Sequence, residues 1–222
     1  HLADGTTIIV QPYIDGRTPT RADYRAGLEQ VAGVIRQTHH NPAVQRTLPP
    51  APSSLYSDAG MAILNGIRSR WLPLRGQVPE AADFVDQSLD RLAGQVGAFT
   101  GGGLVASHND ICNANWLVTD EGRWYLIDLD AMSPDDPALD IGATLWWYYP
   151  PELHPRFLAL TGYANDADFA VRMRVRMALH CLNILLPRPG SFDRFDLSGF
   201  DESLVDFRAA LTGDENPQGY ED

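Results

Sequence analysis

SHNDICNANWLV, at residues 107–118, is the stretch of sequence that decides the fold. It is a polar loop with apolar residues on both sides, which predicts short strands at residues 104–107 and 116–119. A third strand at residues 124–127 follows the turn DEG and pairs with the second as a hairpin. The sequence therefore predicts a strand, a polar loop and a hairpin as one unit.

Three polar side chains of this unit are expected to converge. Asp110 and Asn115 lie in the loop, and Asp128 ends the second arm of the hairpin. Neighbouring antiparallel strands lie about 4.8 Å apart, which brings such groups close together. A carboxylate can accept the proton of a hydroxyl nucleophile, and a carboxylate with an amide oxygen suits Mg²⁺. The set predicts phosphoryl transfer, in which one group accepts the hydroxyl proton and a carboxylate with an amide oxygen holds the metal.

Composition limits the other possibilities. The chain has 222 residues and a net charge of -12, so it lacks the basic surface that nucleic-acid binding requires. The acidic balance favours a cationic partner or simply serves solubility, and solubility is the commoner reason. Two cysteines, no apolar run long enough for a bilayer and no signal peptide indicate a cytoplasmic protein with no membrane partner.

The rest of the chain is predicted to be mainly helical. Apolar periodicity and capping residues define the expected helices, which cover residues 21–39, 58–70, 79–99, 137–148, 152–163, 166–186 and 198–211. Thr20 is the expected N-cap of the first helix, and the proline-rich segment from Pro42 is expected to be a loop. The fold class is α+β, with a small hairpin carrying the site.

Three motifs resemble the aminoglycoside phosphotransferase and choline kinase family. They are HNDICNAN, then IDLD, then DPALDIG, in the order and spacing of that family over residues 105–142. The resemblance implies a protein-kinase-like fold, ATP as phosphoryl donor, Mg²⁺, and a small hydroxylated metabolite or antibiotic as acceptor. Asn109 stands where glycine is frequent, and asparagine tolerates left-handed backbone geometry better than most residues.

The same resemblance assigns a role to each motif residue. Asp110 matches the catalytic base, Asn115 the loop metal ligand and Asp128 the aspartate that binds the nucleotide-bound metal. Asp130 is assigned to a second metal or to the substrate. Two further residues are assigned to structural support of the site, His108 within the loop and Asp140, for which helix capping is the alternative.

The N-terminal part of the family's fold is not recognisable in this chain. Residues 1–16 are expected to hold the last strand of the N-terminal lobe and the hinge, residues 17–213 the C-terminal lobe, and residues 214–222 a mobile acidic tail. Adenine is expected to rest against the hinge backbone at Gln11, Pro12, Tyr13 and Ile14. We find no glycine-rich loop and no strand lysine, so we expect a longer natural protein. Residues 1–222 alone are expected to self-associate and to lack transfer activity.

Several features have a simpler interpretation than a functional one. Three arginines are expected to edge the exposed face of their helix: Arg172, Arg174 and Arg176. The aromatic run at residues 146–149 is expected to pack in the core rather than to bind an ammonium group. His39 and His40 are read as a helix end favoured by the helix dipole, and Cys112 as a small apolar filler.

The alternative function comes from another class of protein. A kinase lobe without its N-terminal partner could be a non-catalytic binding or regulatory module. The intact residues Asp110, Asn115 and Asp128 argue against it. The acceptors left open are aminoglycosides, other antibiotics, choline, homoserine and sugar-like metabolites.

Overall fold

The computed structural model describes residues 12–188 and 196–220. These residues form ten α-helices and four short strands. The helices are α1 Arg21–Ala26, α2 Leu28–His40, α3 Pro42–Thr47, α4 Tyr56–Trp71, α5 Pro79–Gly97, α6 Ala138–Tyr148, α7 His154–Thr161, α8 Phe169–Leu185, α9 Phe200–Ser203 and α10 Val205–Thr212. The strands are β1 Val105–Ser107, β2 Trp116–Val118, β3 Trp124–Leu126 and β4 Ser133–Asp135. The predicted α+β class, mainly helical with a small hairpin, is confirmed. Within the described ranges no helix is long and apolar enough to cross a membrane.

Two apolar clusters form the core. The first joins α4, α5, α8, α9 and α10, with Leu182 fully buried in it. The second joins α1, α2, α6 and α7 to the hairpin, with Trp116 fully buried. Helices α6 and α8 connect the two clusters because they pack closely. A Cβ atom at Gly142 would lie 3.3 Å from the carbonyl oxygen of Met173, so glycine permits this approach.

The strands form two antiparallel pairs. The predicted hairpin of β2 and β3 is confirmed, with Trp116 opposite Leu126. The other pair joins β1 to β4, with Val105 opposite Asp135. Strand β4 was not predicted, because its sequence SPD has no β-branched or aromatic residue and contains a proline. Its pairing with β1 brings Asp135 and the residues after it beside the polar loop.

The first predicted helix is interrupted. Thr20 caps α1 as predicted, and its side chain and that of Asp23 form a reciprocal capping box. The prediction of one continuous helix is wrong at Gly27, where α1 ends. A Cβ atom there would lie 2.6 Å from the ring of Trp124, so the close approach of the hairpin requires glycine. The segment from Pro42, expected to be a loop, forms the short helix α3.

The expectation for the arginines of α8 is wrong for two of the three. Arg174 is exposed, but Arg172 and Arg176 each expose only 1% of their surface. Arg172 Nε lies 3.0 Å from Asp136 Oδ2, and Arg176 pairs with Asp135. The two acids come from β4 and the residue after it, so the pairing depends on a strand that the sequence did not reveal. Buried charges that are paired in this way can be tolerated in a core.

The structure describes the two ends of the chain only in part. Most of the strand expected at residues 6–13, with Gln11, lies outside the described residues. Pro12 and Tyr13 are not in a strand, and Tyr13 is exposed. In the tail, residues 214, 215, 217 and 218 are exposed, but one residue between them is packed against the rest of the chain. Asn216 is buried and its Nδ2 donates to the carbonyl oxygen of Trp146 at 3.0 Å.

Candidate active site

The loop between β1 and β2 presents one acidic side chain to solvent. Asp110 is exposed, whereas His108 before it and Asn115 after it are buried. Ile111, next to Asp110, is also buried and belongs to the second apolar cluster. The loop backbone is therefore anchored on both sides of a carboxylate that remains free to meet another molecule.

Asp140, at the start of α6, accepts hydrogen bonds from the backbone of this loop. The N–H of His108 donates to its Oδ2 at 2.7 Å, and the N–H of Asn109 donates to its Oδ1 at 2.9 Å. Burial alone would raise the pKa of Asp140. The hydrogen bond and charge of His39 and the two backbone donors outweigh burial, so the pKa lies below its usual value. The carboxylate thus stays charged and holds the residues that precede Asp110.

His39 completes the set of partners around Asp140. Its Nε2 lies 3.0 Å from Asp140 Oδ2, and its Nδ1 lies 2.9 Å from the hydroxyl oxygen of Tyr163. His39 lies in the last turn of α2, close to the helix end that the sequence indicated, but its side chain is fully buried and reaches α6. Sequence reasoning attributed this histidine to the helix dipole and did not predict its contact with Asp140.

His108 has a single tautomer that fits its surroundings. Its Nε2 lies 2.9 Å from the carbonyl oxygen of Ile127, which can only accept, so Nε2 carries the hydrogen. Its Nδ1 accepts a hydrogen bond from the backbone N–H of Asp110 at 3.3 Å. The neutral ring therefore connects the residue that bears the carboxylate to the end of the hairpin.

Asn109 has a left-handed backbone, with φ of 64°. Few residues other than glycine adopt this geometry, and asparagine is the most tolerant of them. Its side chain adds contacts that glycine could not make. Nδ2 donates to the carbonyl oxygen of Ala131 at 3.0 Å and to the hydroxyl oxygen of Ser133 at 2.9 Å. Asn109 thus ties the loop to the segment that leads into β4.

The predicted metal ligands lie where the loop meets the hairpin. Asn115 Nδ2 donates to the carbonyl oxygen of Asp110 at 2.8 Å, which leaves its amide oxygen as the atom suited to a cation. The N–H of Ile127 donates to the carbonyl oxygen of Asn115 at 2.9 Å, so Asp128 is one residue beyond a backbone contact with Asn115. Asp128 has a left-handed φ of 60°, and both it and Asp130 are exposed. Such geometry in a residue other than glycine is concentrated at functional sites.

A cavity of about 670 Å³ opens beside Asp110. The loop forms one wall with Asn109 and Asp110, and β4 and α8 form others with Asp135, Arg176 and His180. The last three residues were not identified as site residues from the sequence. In the sequence, Arg176 and His180 are polar residues of a mainly apolar helix, and nothing in the pattern indicates that they face Asp110.

The aromatic run after Gly142 packs in the core. Tyr148 and Tyr149 are buried, and the rings of Tyr148 and Tyr24 stack with centroids 4.0 Å apart. The hydroxyl of Tyr24 donates to Asn113 Oδ1 at 3.0 Å, which anchors the loop again. Cys112 is exposed, so the expectation that it fills apolar space is wrong. Loss of hydration around its sulfur atom and the negative charge of Asp110 raise the pKa of its thiol. Its thiol is therefore poorly suited to act as a nucleophile.

The described residues form a mainly helical lobe in which a polar loop and a hairpin carry Asp110, Asn115 and Asp128. Residues 3–177 match the model of APH, the phosphotransferase enzyme family. Because the match covers most of the chain, the chain belongs to this family. The resemblance to aminoglycoside phosphotransferases and choline kinases is confirmed, and so is the kinase-like fold.

Solved structures show the same fold at low sequence identity. A choline/ethanolamine kinase family protein from Mesorhizobium loti is 18% identical with a TM-score of 0.68, and the match covers 98% of this chain and 74% of that protein's chain. The ethanolamine kinase Pv091845 of Plasmodium vivax is 13% identical with a TM-score of 0.58, covering 89% and 63%. Spectinomycin phosphotransferase APH(9)-Ia, in complex with ADP and spectinomycin, is 16% identical with a TM-score of 0.56, covering 90% and 68%.

Proposed function

We propose that this chain carries the catalytic site of an ATP-dependent kinase that phosphorylates a hydroxyl group of a small molecule. The observation that supports it best is the exposed carboxylate of Asp110 at the edge of a cavity, on a loop whose backbone is bound by buried Asp140. Membership of the phosphotransferase family supports the reaction class. ADP in the spectinomycin phosphotransferase complex supports an adenine nucleotide as donor.

Asp110 acts as the base in the proposed reaction. The proton of the acceptor hydroxyl passes to a carboxylate oxygen of Asp110 while the hydroxyl oxygen forms a bond to the γ-phosphorus of ATP. The bond from that phosphorus to the bridging oxygen breaks, and its electron pair leaves with ADP. Asp140 and His108 hold the loop so that the carboxylate meets the hydroxyl in a fixed orientation.

Asn115 and Asp128 would hold Mg²⁺ in this reaction. In the described part of the chain, no three His, Cys, Asp or Glu side chains form a metal site by themselves. One carboxylate and one amide oxygen nonetheless fit Mg²⁺, which fills its remaining positions with water and phosphate oxygens. Once bound, the ion would offset negative charge on the phosphate oxygens. Asp130, exposed two residues beyond Asp128, would serve a second metal ion or the substrate.

The nucleotide base would lie at the segment from Gln11 to Ile14. Tyr13 and Ile14 are not part of a strand, and their backbone N–H and carbonyl groups would bond adenine. This is the proposed hinge, and the cavity beside Asp110 would receive the acceptor.

A phosphorylation screen tests the proposal. The protein encoded by the complete gene is incubated with ATP labelled at the γ-position and a panel of hydroxylated antibiotics, amino alcohols, polyols and hydroxy acids. We expect label in at least one acceptor, with loss of labelling when Mg²⁺ is chelated. Parallel reactions with labelled GTP identify the preferred donor. Labelled nucleotide that binds but transfers to no acceptor in any class would contradict the proposal.

A further inference from the structure

We propose that the cavity beside Asp110 binds a hydroxylated molecule that carries an anionic oxygen group, a carboxylate or a phosphate, and that Arg70 and Arg176 bind this group. The inference rests on the proposed function, since it takes the cavity to be the acceptor site. It assigns the acceptor to a class opposite in charge to aminoglycosides and choline.

The charged residues of the cavity wall favour an anion. The described wall includes three arginines and two aspartates, which are Arg70, Arg176, Arg188, Asp110 and Asp135. Asp135 is already paired with Arg176. Asp110 is the proposed base, and its carboxylate repels an anion that lies close to it. Arg70 lines the same cavity without an acidic partner among the described residues, and its positive charge attracts an anion there.

Arg176 has a donor that no atom of the described residues uses. Its guanidinium pairs with Asp135 through Nη2, but Nη1 is buried and has no hydrogen-bond partner within residues 12–188 and 196–220. Leaving a buried donor of a charged group unpaired is costly, and an anionic oxygen at this end of the cavity would remove that cost. An arginine that exposes only 1% of its surface is held in place, so little side-chain entropy is lost on binding.

Arg70 supplies positive charge that no described acid balances. Its Nη1 donates to the carbonyl oxygens of Asn183 and Leu186 at 3.3 and 3.4 Å, and its Nη2 donates to the amide oxygen of Asn183. All of these acceptors are neutral, and no described carboxylate forms a salt bridge with Arg70. Its neighbour on the same helix, Arg68, instead pairs with Asp90 at 2.6 Å. Arg70 thus keeps its full charge beside the cavity.

His180 adds a hydrogen-bonding group to the wall of the cavity. Burial lowers its pKa, as does Arg176, although Asp110 and Asp140 oppose the shift. A neutral imidazole does not cancel the charge of an anionic ligand and can bond one of its hydroxyl groups. The wall thus offers a base, a neutral polar group and two arginines, which matches a polyol with an acidic group.

Direct binding measurements test this inference without phosphoryl transfer. Ligand-observed NMR and calorimetry are run with glycerol, glycerate, glycerol 3-phosphate and choline, and with the larger set of sorbitol, gluconate, glucose 6-phosphate and kanamycin. The variants are Arg70→Gln and Arg176→Met. The matched controls are Arg68→Gln on α4 and Arg174→Gln on α8, where Arg174 lines a separate cavity of about 330 Å³. Arg70→Gln leaves no buried acid unpaired, so it remains informative where Arg176→Met fails to fold.

We expect anionic members of the panel to bind more tightly than their neutral and cationic counterparts. Each variant should weaken anion binding about tenfold or more, as expected for the loss of a charge-assisted hydrogen bond, while the controls bind like the unmodified protein. The carboxylate and phosphate members show which group is preferred. Failure of every anion to bind, cations that bind at least as tightly, or variants with unchanged anion affinity would overturn the inference. Anion binding without transfer to any acceptor would contradict only the proposed function.

Discussion

The imidazole of His39 lies 3.0 Å from the carboxylate of Asp140, and both side chains are fully buried. This contact joins the end of α2 to the start of α6. The same carboxylate binds two backbone N–H groups of the loop that carries Asp110. The position of the proposed base therefore depends on two helices that are distant from it in sequence.

Replacing Asp140 should strongly destabilise the fold. In Asp140→Asn the amide cannot accept both backbone hydrogen bonds and the contact with His39, so buried donors lose their partner. We expect a loss of about 3 kcal/mol or more in the free energy of unfolding, measured by urea denaturation. The control is Asp83→Asn, an exposed acid of α5, which should change stability by about 0.5 kcal/mol or less.

The contribution of Asp140 should also depend on pH. Because its pKa is lower in the folded chain than the ordinary value of 3.8, this carboxylate stabilises the fold fully above that value. The contribution is lost as pH falls through the ordinary value and then through the folded pKa. The stability difference between the unmodified protein and Asp140→Asn should therefore shrink in acid. A difference that stays constant over the same range would count against the ionised, hydrogen-bonded carboxylate.

Asn109 should tolerate glycine better than alanine. Both changes remove the hydrogen bonds of the side chain, but only alanine is strained at a φ of 64°. Asn109→Ala should be less stable than Asn109→Gly by about 1 kcal/mol. The control is Gly66, in the middle of α4, where an added Cβ atom would meet no other atom within 4 Å. There the Gly66→Ala variant should be more stable than the unmodified protein, because alanine favours helix over glycine. Equal stability of the two Asn109 variants would contradict the conformational argument.

Local sequence pattern was sufficient to predict the hairpin and most helices. Strands β2 and β3 contain tryptophan, valine and tyrosine, and α5 has a proline start and an apolar stripe, so local preference and final structure agree. Strand β4 has no such signal and exists because β1 pairs with it. The break at Gly27 likewise depends on Trp124, which is distant in sequence. Such features come from tertiary contacts that periodicity does not encode.

The candidate site also combines features that local sequence predicts with features that depend on tertiary contacts. The motif positions around Asp110 could be identified from their order and spacing. The pairing of Arg172 with Asp136 and of Arg176 with Asp135 could not, because each of these acids lies more than 30 residues from its arginine. A net charge of -12 was compatible with a cationic partner or simply with solubility, and charge summed over a chain does not describe the wall of one cavity. Local charge there depends on which side chains the fold brings together.

Because Arg172 is buried and Arg174 is exposed, replacing them should reduce the free energy of unfolding by very different amounts. Arg172→Met leaves the buried carboxylate of Asp136 without its ion-pair partner and should cost about 3–5 kcal/mol. Arg174→Met, on the exposed face of the same helix, should cost about 0.5 kcal/mol or less. Urea denaturation of the two variants measures both values. Similar losses in both would mean that the ion pair of Arg172 is not a major contributor.

The proposed metal ligands should differ in importance. Asp128→Ala removes the anionic ligand and should abolish Mg²⁺-dependent binding of a nonhydrolysable ATP analogue. Asn115→Ala removes a neutral dipole and should weaken binding less. Calorimetry with and without Mg²⁺ gives the order, with Asp120→Ala as an exposed acidic control in the hairpin turn. A larger effect at Asn115 than at Asp128 would contradict the assignment.

The most direct test of the proposed function is the turnover of Asp110→Asn in the complete protein, with an acceptor identified by the screen. The substitution keeps the shape of the side chain but removes the group that accepts the hydroxyl proton. We expect turnover to fall by about 100-fold or more while the affinity for nucleotide changes little. Turnover at the unmodified rate would show that Asp110 is not the base and would contradict the account.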